Sequence, residues 1–248
     1  YMIIKTEQGH LAFKQQEPEY YWQDKAGKYK LNPPAHLWDD PEAIASEKID
    51  GASFITRIND RGQVGIVSTR KSVTGDLIVK NASVPHLIDL KIPPKYWGMT
   101  FRSEFAIPGQ GFNVLSGTLN SKPQKAIQAQ ELLGKVISHP FEIIHLPGGQ
   151  KADDMTYGDR LAFLKQFEQD LNSPYIKVPN HTRENKKQFY ADILKRGGEG
   201  IILGHSRDTG DVKLYKQKKL VEYNFKISGF TQGTGKYSNR GIGAFIVS

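Results

Sequence analysis

Glu47 to Gly51 form a short run, Glu-Lys-Ile-Asp-Gly, in which a lysine lies between two acidic residues. A lysine amine becomes a nucleophile when burial or neighbouring cations favour its neutral form. The carboxylate of Asp50 is a hard oxygen ligand of the kind that divalent metal ions prefer, and Gly51 lets backbone approach a bulky ligand. Lys48 therefore has the neighbours of a nucleophile, although so short a run also fits an ordinary surface lysine in a turn.

A second group of residues suited to binding lies near the C-terminus. Val212 to Arg240 contain six lysines and one arginine but one acidic residue, in a chain of 248 residues with a formal charge of +8. Basic side chains interspersed with aromatic ones suit a polyanion such as nucleic acid. The same pattern also fits a solvated basic surface. The residues predicted to contact this nucleic acid are Lys213, Lys219, Lys226, Lys236 and Arg240.

Composition limits the class of protein. With 38% hydrophobic and 24% charged residues, the chain has the balance of a globular protein of one large domain or a domain and a half. The absence of cysteine excludes disulfides, thiolate catalysis and cysteine zinc sites, which is typical of a reducing compartment. No apolar run approaches the length of a membrane span, and Tyr1 to Lys14 lack the pattern of a secretory signal. We therefore expect a cytoplasmic protein.

The sequence around Lys48 predicts that strands hold this residue in place. The run before it, Pro41 to Ser46, is turn-like, whereas Ala52 to Ile58 is apolar and β-branched enough to form a strand. Gln63 to Thr69 predict the next strand, and Asn59 to Gly62 are a good turn sequence between the two. Lys48 is therefore expected near the mouth of a strand.

Two further strands carry candidate site residues. Tyr96 to Ile107 predict a strand that places Arg102 and Glu104 on one face, which indicates either a solvated surface or the floor of a site. Phe141 to Leu146 predict a buried strand, in which Phe141 on its own also fits a core position.

The remaining elements are helices and strands in irregular order. Residues 1–40 predict no regular structure. Helical periodicity appears in Lys125 to Ile137, Tyr157 to Leu171 and Asn185 to Arg196. Buried strands are predicted at Glu199 to Leu203 and at Val212 to Tyr215, and a hairpin at Asn224 to Val247. This mixture favours an α+β fold with antiparallel sheets.

Six motifs occur in an order that resembles the superfamily of ATP-dependent DNA ligases, RNA ligases and capping enzymes. They are Lys48 with Asp50, Arg70, Glu104, Phe141, Glu199, and Lys216 with Lys218. The resemblance implies an adenylation (nucleotidyltransferase) domain at residues 1–222, with antiparallel sheets flanked by helices. Residues 223–248 resemble the opening strands of the OB-fold of a DNA ligase, which favours a DNA ligase within the superfamily.

The resemblance implies a role for each motif residue. Lys48 would attack the α-phosphate of ATP to form a lysyl-adenylate. Glu47 would contact the adenine amino group, Phe141 would stack on adenine, and Arg70 would contact the ribose. Glu104 would contact either the ribose or a metal-bound water. The phosphate contacts are expected from Lys216 and Lys218, and ligation of Mg²⁺ from Asp50 and Glu199. The expected partner is nicked duplex DNA, sealed by a monomer in a bacterial or viral setting.

Several points stay open at the level of sequence. Lys213 competes with Lys216 as the first lysine of the last motif, and Ser53 stands where many DNA ligases have an arginine. The late basic run of the family's OB-fold has no counterpart before Ser248, so we expect slow sealing of a preadenylated nick and poor reaction with free ATP. The alternatives are an RNA ligase and a module that binds nucleic-acid ends without joining them.

Overall fold

The computed structural model describes residues 2–5, 11–14, 33–71, 76–210, 212–219, 226–233 and 241–247. Of these, residues 2–5, 11–14, 70, 71, 242, 243 and 247 are described by their backbone alone. The chain divides into two compact units, Tyr1–Lys218 and Lys219–Ser248.

Strands and short helices alternate along the described chain. The strands are β1 (Met2–Lys5), β2 (Leu11–Lys14), β3 (Ala43–Lys48), β4 (Ala52–Ile58), β5 (Val64–Lys71), β6 (Leu77–Val79), β7 (Thr100–Ala106), β8 (Ile137–His145), β9 (His181–Thr182), β10 (Gly200–His205), β11 (Tyr215–Lys218), β12 (Ile227–Gln232) and β13 (Ile242–Val247). The helices are α1 (His36–Asp39), α2 (Pro85–Ile88), α3 (Phe112–Asn120), α4 (Pro123–Leu133), α5 (Tyr157–Leu171) and α6 (Lys186–Lys195). This mixture, with antiparallel sheets flanked by helices, confirms the predicted α+β class.

The larger core covers one face of a five-stranded antiparallel sheet with the order β6-β5-β4-β7-β8. Phe101 and Phe105 of β7 lie on this face, because alternate side chains of a strand point the same way. Leu164 and Phe167 of α5 pack against the same cluster. Burying each of these large side chains stabilises the fold by about 1.5–3 kcal/mol. The sheet is thereby held rigid beneath its second face, which bears the site residues.

A smaller core covers one face of a four-stranded antiparallel sheet with the order β11-β10-β3-β9. Ala45 of β3 and Leu203 of β10 are fully buried on this face. They pack with Leu37 of α1 and Ile193 of α6. The two helices therefore cover this face of the sheet and support β3, the strand that ends at Lys48.

Helix α5 has the predicted bounds. Its N-cap residue is Thr156, whose Oγ1 accepts a hydrogen bond from the backbone N–H of Asp159 at 3.1 Å. It ends at Asn172, which adopts a left-handed conformation with a φ of 43°. The helix predicted at the position of α6 is also confirmed. Among the described residues, no helix is both long and apolar enough to cross a bilayer.

Strand β3 forms where the sequence predicts a turn, so that prediction is wrong. Pro41 precedes the strand, but Ala43, Ile44 and Ala45 are at most 3% exposed. These side chains are buried on both faces of the sheet while the backbone pairs with β10 and β9. The pairing partners lie more than 130 residues further along the chain, and tertiary pairing decides whether a short segment becomes a strand. The prediction of irregular structure over residues 1–40 is likewise wrong at β1, β2 and α1.

Three further element boundaries differ from the prediction. Helix α4 ends at Leu133 because Gly134 has a φ of 109°, which a continuing helix does not allow. Strand β8 accordingly begins at Ile137, earlier than predicted. Strand β11 lies at the edge of its sheet with half-exposed residues, so the predicted buried strand at Val212 to Tyr215 is wrong.

The second unit contains a hairpin of β12 and β13, as predicted. Phe230 and Phe245 pair across the two strands. Four large apolar side chains of this hairpin are at least half exposed, namely Ile227, Phe230, Phe245 and Ile246. A two-stranded sheet is marginally stable by itself in water. The OB-fold that was predicted around this hairpin stays a prediction.

A carboxylate network on α5 predicts acid sensitivity. Asp170 accepts hydrogen bonds from Tyr96 and Gln166 and forms an ion pair with Lys95. Lys95, then Tyr96 and Gln166, lower the pKa of Asp170 to about 2. A carboxyl group whose pKa is lower in the folded state stabilises the fold above its unfolded pKa of about 3.9, and this stabilisation is lost as the pH falls toward 2.

We therefore expect Asp170→Asn to lower the melting temperature at pH 7 and to lower it much less at pH 2. Thermal unfolding from pH 2 to pH 7 measures this difference. Asp60, an exposed residue in the turn between β4 and β5, provides the control Asp60→Asn. A constant difference between Asp170→Asn and the native protein across this range would contradict the prediction.

Candidate active site

Lys48 lies at the end of β3, where it pairs with Gly200 of β10. Its Nζ contacts the carboxylate of Glu199, and its side chain is 16% exposed. Because side chains alternate along strands, Lys48 shares a face of the sheet with Ser46, and the register adds Ile202 and Lys216 to the same face. Lys48 therefore lies where one face of the four-stranded sheet comes close to the second face of the five-stranded sheet.

Glu199 joins two lysines. Its Oε2 contacts Lys48 Nζ and its Oε1 contacts Lys218 Nζ. Burial by itself would raise the pKa of the Glu199 carboxyl, but the hydrogen bonds and charges of Lys218 and Lys48 outweigh burial and lower the pKa below its ordinary value. Glu199 is therefore a carboxylate that fixes two cations at the mouth of the site.

Glycine residues bring Glu199 to this position. Helix α6 ends in Gly197 and Gly198, whose backbone N–H groups bond to the carbonyls of Leu194 and Ile193. Gly200 then has a φ of 151°, and a Cβ atom there would lie 2.0 Å from the carbonyl oxygen of Gln217 on β11. Only glycine fits where β10 and β11 approach so closely.

We expect Gly200→Ala to destabilise the protein by at least about 2 kcal/mol and to displace Glu199 from Lys48, because the new methyl group meets backbone that cannot move away alone. Urea unfolding measures the stability. Gly109→Ala is the control, since Gly109 also has a positive φ but has open space at the Cβ position. Equal stability losses in the two variants would show that backbone strain, and not the close approach to β11, determines the cost.

A cavity of about 370 Å³ lies between the two sheets at Lys48. Its lining combines polar residues of the five-stranded sheet with apolar residues from β10 and α5. Gly51 allows the chain to pass from one sheet to the other, because a Cβ atom there would lie 2.1 Å from the carbonyl oxygen of Phe105. The predicted site residues that line this cavity are Glu47, Lys48, Glu104, Phe141 and Lys216. Its size and mixed lining suit a nucleotide-sized ligand.

Phe141 reaches the cavity through a β-bulge. Strand β8 pairs Pro140 with Ser103 and Glu142 with Arg102, so Phe141 is an extra residue on β8. A bulge of this kind bends the strand and redirects a side chain. Phe141 therefore lines the cavity and is not a core residue, which resolves the ambiguity that the sequence left open.

Cations surround Lys48. Burial, and then the charges of Lys48 and Lys218, lower the pKa of Lys216. Lys216 lines the cavity, whereas Lys213 is exposed and is not among the described residues that line it. Of the two lysines that the sequence left in competition, the structure therefore brings Lys216 to the site.

The side chain of Glu47 has a different environment from that of its neighbour Lys48. Its Oε2 accepts hydrogen bonds from Asn180 Nδ2 at 3.0 Å and is 2.6 Å from Arg196 Nη2. Its backbone N–H also bonds to the carbonyl of Asn180 at 2.7 Å. Alternation along β3 sends this side chain toward α6, on the face opposite Lys48. Glu47 still borders the cavity at the edge of β3.

Asp50 is not among the described residues that line the cavity. Asp50 is exposed, and its Oδ2 accepts a hydrogen bond from the backbone N–H of Phe112 at the start of α3, at 3.3 Å. The side chain of Arg70 lies outside the described residues. Within the described ranges, no three His, Cys, Asp or Glu residues cluster closely enough to hold a metal ion.

Two residues that line the cavity were not among the site residues predicted from the sequence. Arg102 is 2% exposed and lines the cavity, with Nη1 3.3 Å from Glu142 Oε2. Its pairing with Glu104 on one strand face was visible in sequence, and the structure shows that this face is the floor of a site. Tyr157 is buried beside the cavity with its hydroxyl 3.4 Å from Ser46 Oγ, and burial raises its pKa. No sequence pattern indicated Tyr157.

Other candidate binding residues are spread over the surface. A larger cavity of about 740 Å³ lies at the β4–β5 hairpin near Trp97, and none of the predicted site residues is among the described residues that line it. Of the residues predicted to contact DNA, Lys213, Lys219 and Lys226 are exposed. Lys236 and Arg240 lie outside the described residues.

Comparisons with known proteins bear on the fold. No protein-family model and no curated protein match the chain. Solved structures do match: a Lig E DNA ligase has a TM-score of 0.55 and 18% identity over 84% of this chain and 73% of its own. The ATP complex of the bacteriophage T7 ATP-dependent DNA ligase has a TM-score of 0.54 and 16% identity, over 85% and 71% respectively.

A third match is mycobacterial DNA ligase D in complex with ATP, with a TM-score of 0.52 and 17% identity. It covers 83% of this chain, while the chain spans only 61% of that ligase. Identities this low establish a shared fold and nothing finer. The chain therefore has the nucleotidyltransferase fold of ATP-dependent DNA ligases.

Proposed function

We propose that the chain is an ATP-dependent DNA ligase that seals nicks in duplex DNA through a lysyl-adenylate on Lys48. The observation that carries this proposal is the cavity at Lys48, which combines an amine, an aromatic ring at Phe141 and a further cation at Lys216. The shared fold supports it, since two of the similar structures contain ATP.

The first step would join Lys48 to AMP. After its ammonium group has lost a proton to solvent, the Nζ lone pair attacks the α-phosphorus of ATP. An N–P bond forms, the bond to the bridging oxygen breaks, and pyrophosphate leaves with the electron pair. Negative charge develops on the phosphate oxygens, where Lys216 and Lys218 would stabilise it.

The cavity supports a binding mode for the nucleotide. The adenine ring would stack on Phe141, and Glu104 would contact the ribose or a metal-bound water, as the resemblance implies. Glu104 pairs in register with Ser53 of β4, and both line the cavity. The contacts expected from Arg70 to the ribose and from Glu47 to the adenine amino group stay predictions.

Mg²⁺ fits this set of donors. Mg²⁺ usually takes one or two carboxylates, with substrate phosphates and water completing its shell. Glu199 and Asp50 would hold it, and it would neutralise phosphate charge. In the described structure both oxygens of Glu199 contact lysines, so binding a cation requires that one of these contacts be exchanged.

Two later steps would complete the reaction. A 5′-phosphate oxygen at the nick attacks the same phosphorus, the N–P bond to Lys48 breaks, and AMP is transferred to DNA. The 3′-hydroxyl then attacks the 5′-phosphorus and AMP leaves. We propose residues 1–222 as the adenylation domain and 223–248 as the opening of an OB-fold, and we propose the exposed Lys213, Lys219 and Lys226 as contacts to DNA.

Incubation with α-labelled ATP and Mg²⁺, followed by denaturing electrophoresis, tests the proposal. We expect label on the protein, and its transfer to nicked DNA but not to nicked duplex RNA. A preadenylated nick tests the last step separately. Preferential transfer to RNA would identify an RNA ligase. The absence of label on the protein and of sealing at the preadenylated nick would identify a module that binds ends without joining them.

A further inference from the structure

We propose that the ion pair of Arg196 with Glu47 is a positioning element that fixes Lys48 relative to Glu199. This inference rests on the proposed adenylation of Lys48. It assigns a role in the reaction to Arg196, a residue outside the cavity, and gives Glu47 a role other than contact with the base.

The ion pair joins the two segments that carry the reacting lysine and its partner. Glu47 directly precedes Lys48 on β3, and Arg196 lies three residues before Glu199, at the end of α6. The distance between Arg196 Nη2 and Glu47 Oε2 is 2.6 Å. The pair therefore links two chain segments that are close in space but about 150 residues apart in sequence.

The contacts of Glu47 are those of an anchored side chain. Its side chain is 15% exposed while that of Arg196 is 50% exposed, and Asn180 Nδ2 donates to the same oxygen that Arg196 contacts. A charged hydrogen bond to a carboxylate that is largely shielded from water is stronger than one between two fully solvated groups. Glu47 and Lys48 point to opposite faces of β3. The contacts that hold the side chain of Glu47 therefore also fix the backbone from which Lys48 projects.

The ion pair adds a side-chain contact to a turn that backbone hydrogen bonds already hold. Gly197 and Gly198 separate Arg196 from Glu199, and their N–H groups bond back to carbonyls in the last turn of α6. After the turn, Gly200 pairs with the backbone of β3 and β11. The pair of Arg196 with Glu47 ties the start of the turn to β3 as well. Removing the charge of Arg196 therefore loosens the link between the start of the turn and β3.

The test uses Arg196→Met, which keeps the length of the side chain but removes its charge, and Arg196→Lys as the conservative variant. The rate and amplitude of single-turnover formation of protein-bound AMP are measured against ATP concentration. We expect Arg196→Met to lower the maximal rate by about 10- to 100-fold, since small misplacements of reacting groups have effects of this size. The half-saturating ATP concentration should stay within about twofold, and Arg196→Lys should recover much of the rate.

The amplitude of the single turnover separates positioning from a loss of folding. A partly unfolded variant would label a smaller fraction of the protein, whereas a variant with a misplaced Lys48 would label the same fraction more slowly. Lys187→Met is the matched control, because it breaks the exposed pair of Lys187 with Asp39 on the same helix, at 3.0 Å. It should change neither the rate nor the amplitude.

Glu47→Gln provides the second arm. We expect it to reproduce the loss in Arg196→Met, and the double variant to lose little more, because both changes break one interaction. An unchanged rate in Arg196→Met would overturn the inference. So would a Glu47→Gln variant that alters the preference for ATP over GTP while Arg196→Met does not, since Glu47 would then contact the base. A native protein that never acquires label would instead overturn the proposed function.

Discussion

Replacing Lys48 with alanine is expected to abolish protein-bound AMP, with a loss of at least about 10⁴-fold, because the variant lacks the nitrogen that forms the bond to phosphorus. The fold should survive. Glu199 keeps Lys218 as a partner in the variant, so we expect the free energy of unfolding to change by about 1 kcal/mol. Gel quantification of labelled protein and a urea unfolding curve measure the two effects.

Lys165→Ala is the matched control for Lys48→Ala. Lys165 also forms an ion pair with a glutamate, Glu168, at 2.8 Å, but it lies on α5 away from the cavity lining. Its removal should leave labelling at the native level. If Lys48→Ala accumulates label as fast as the native protein, another residue is the nucleophile. A preadenylated nick should still be sealed by Lys48→Ala, which distinguishes loss of the first step from general inactivation.

Glu199→Ala is expected to lower both labelling and sealing by about 10²- to 10³-fold. The carboxylate fixes Lys48 and Lys218, and it is a proposed ligand of Mg²⁺, so its loss removes charge stabilisation that the reaction needs. Two ammonium groups also lose their shared counter-charge, which costs about 1–3 kcal/mol of folding free energy. Labelling rates over a range of Mg²⁺ concentrations and urea unfolding measure these effects.

The chain offers a close control for this change. Glu168 also contacts two lysines, Lys165 and Lys177, and is 12% exposed. Glu168→Ala should therefore lower stability to a similar extent without changing the rate of labelling. Equal losses of activity in the two variants would attribute the effect to stability or net charge, and would remove Glu199 from the site.

The sequence predicted those parts of the fold that depend on local pattern. The alternation in β7 placed Arg102 and Glu104 on one face, and helical periodicity defined α5. Strand β3 was missed because its partners lie far along the chain and its first residues resemble a turn. Local preference is a weak guide where pairing with distant strands decides the structure.

From the sequence, the site was predictable only as a set of residue types that occur in a given order along the chain. The resemblance named Lys48 and Glu199 together, although 151 positions separate them, because the family's order supplied the long-range information. It gave no indication of Arg196, since an arginine at the end of a helix also fits favourable interaction with the helix dipole. Nor could the resemblance show that Arg102 is buried. Its burial depends on how the chain packs around the five-stranded sheet, and the sequence pattern of β7 does not reveal this.

The central place of β3 in its sheet limits how readily the backbone at Lys48 can open to solvent. Strands β10 and β9 flank β3, so exposing the backbone next to Lys48 requires two strands to separate. The amide protons of Ala43–Lys48 should therefore exchange with deuterium only through cooperative opening, and much more slowly than those of the edge strand β11. The proposed nucleophile would then project from one of the slowest-exchanging segments of the domain, and adjustment to an incoming nucleotide would fall to the side chains of Glu199 and Lys218.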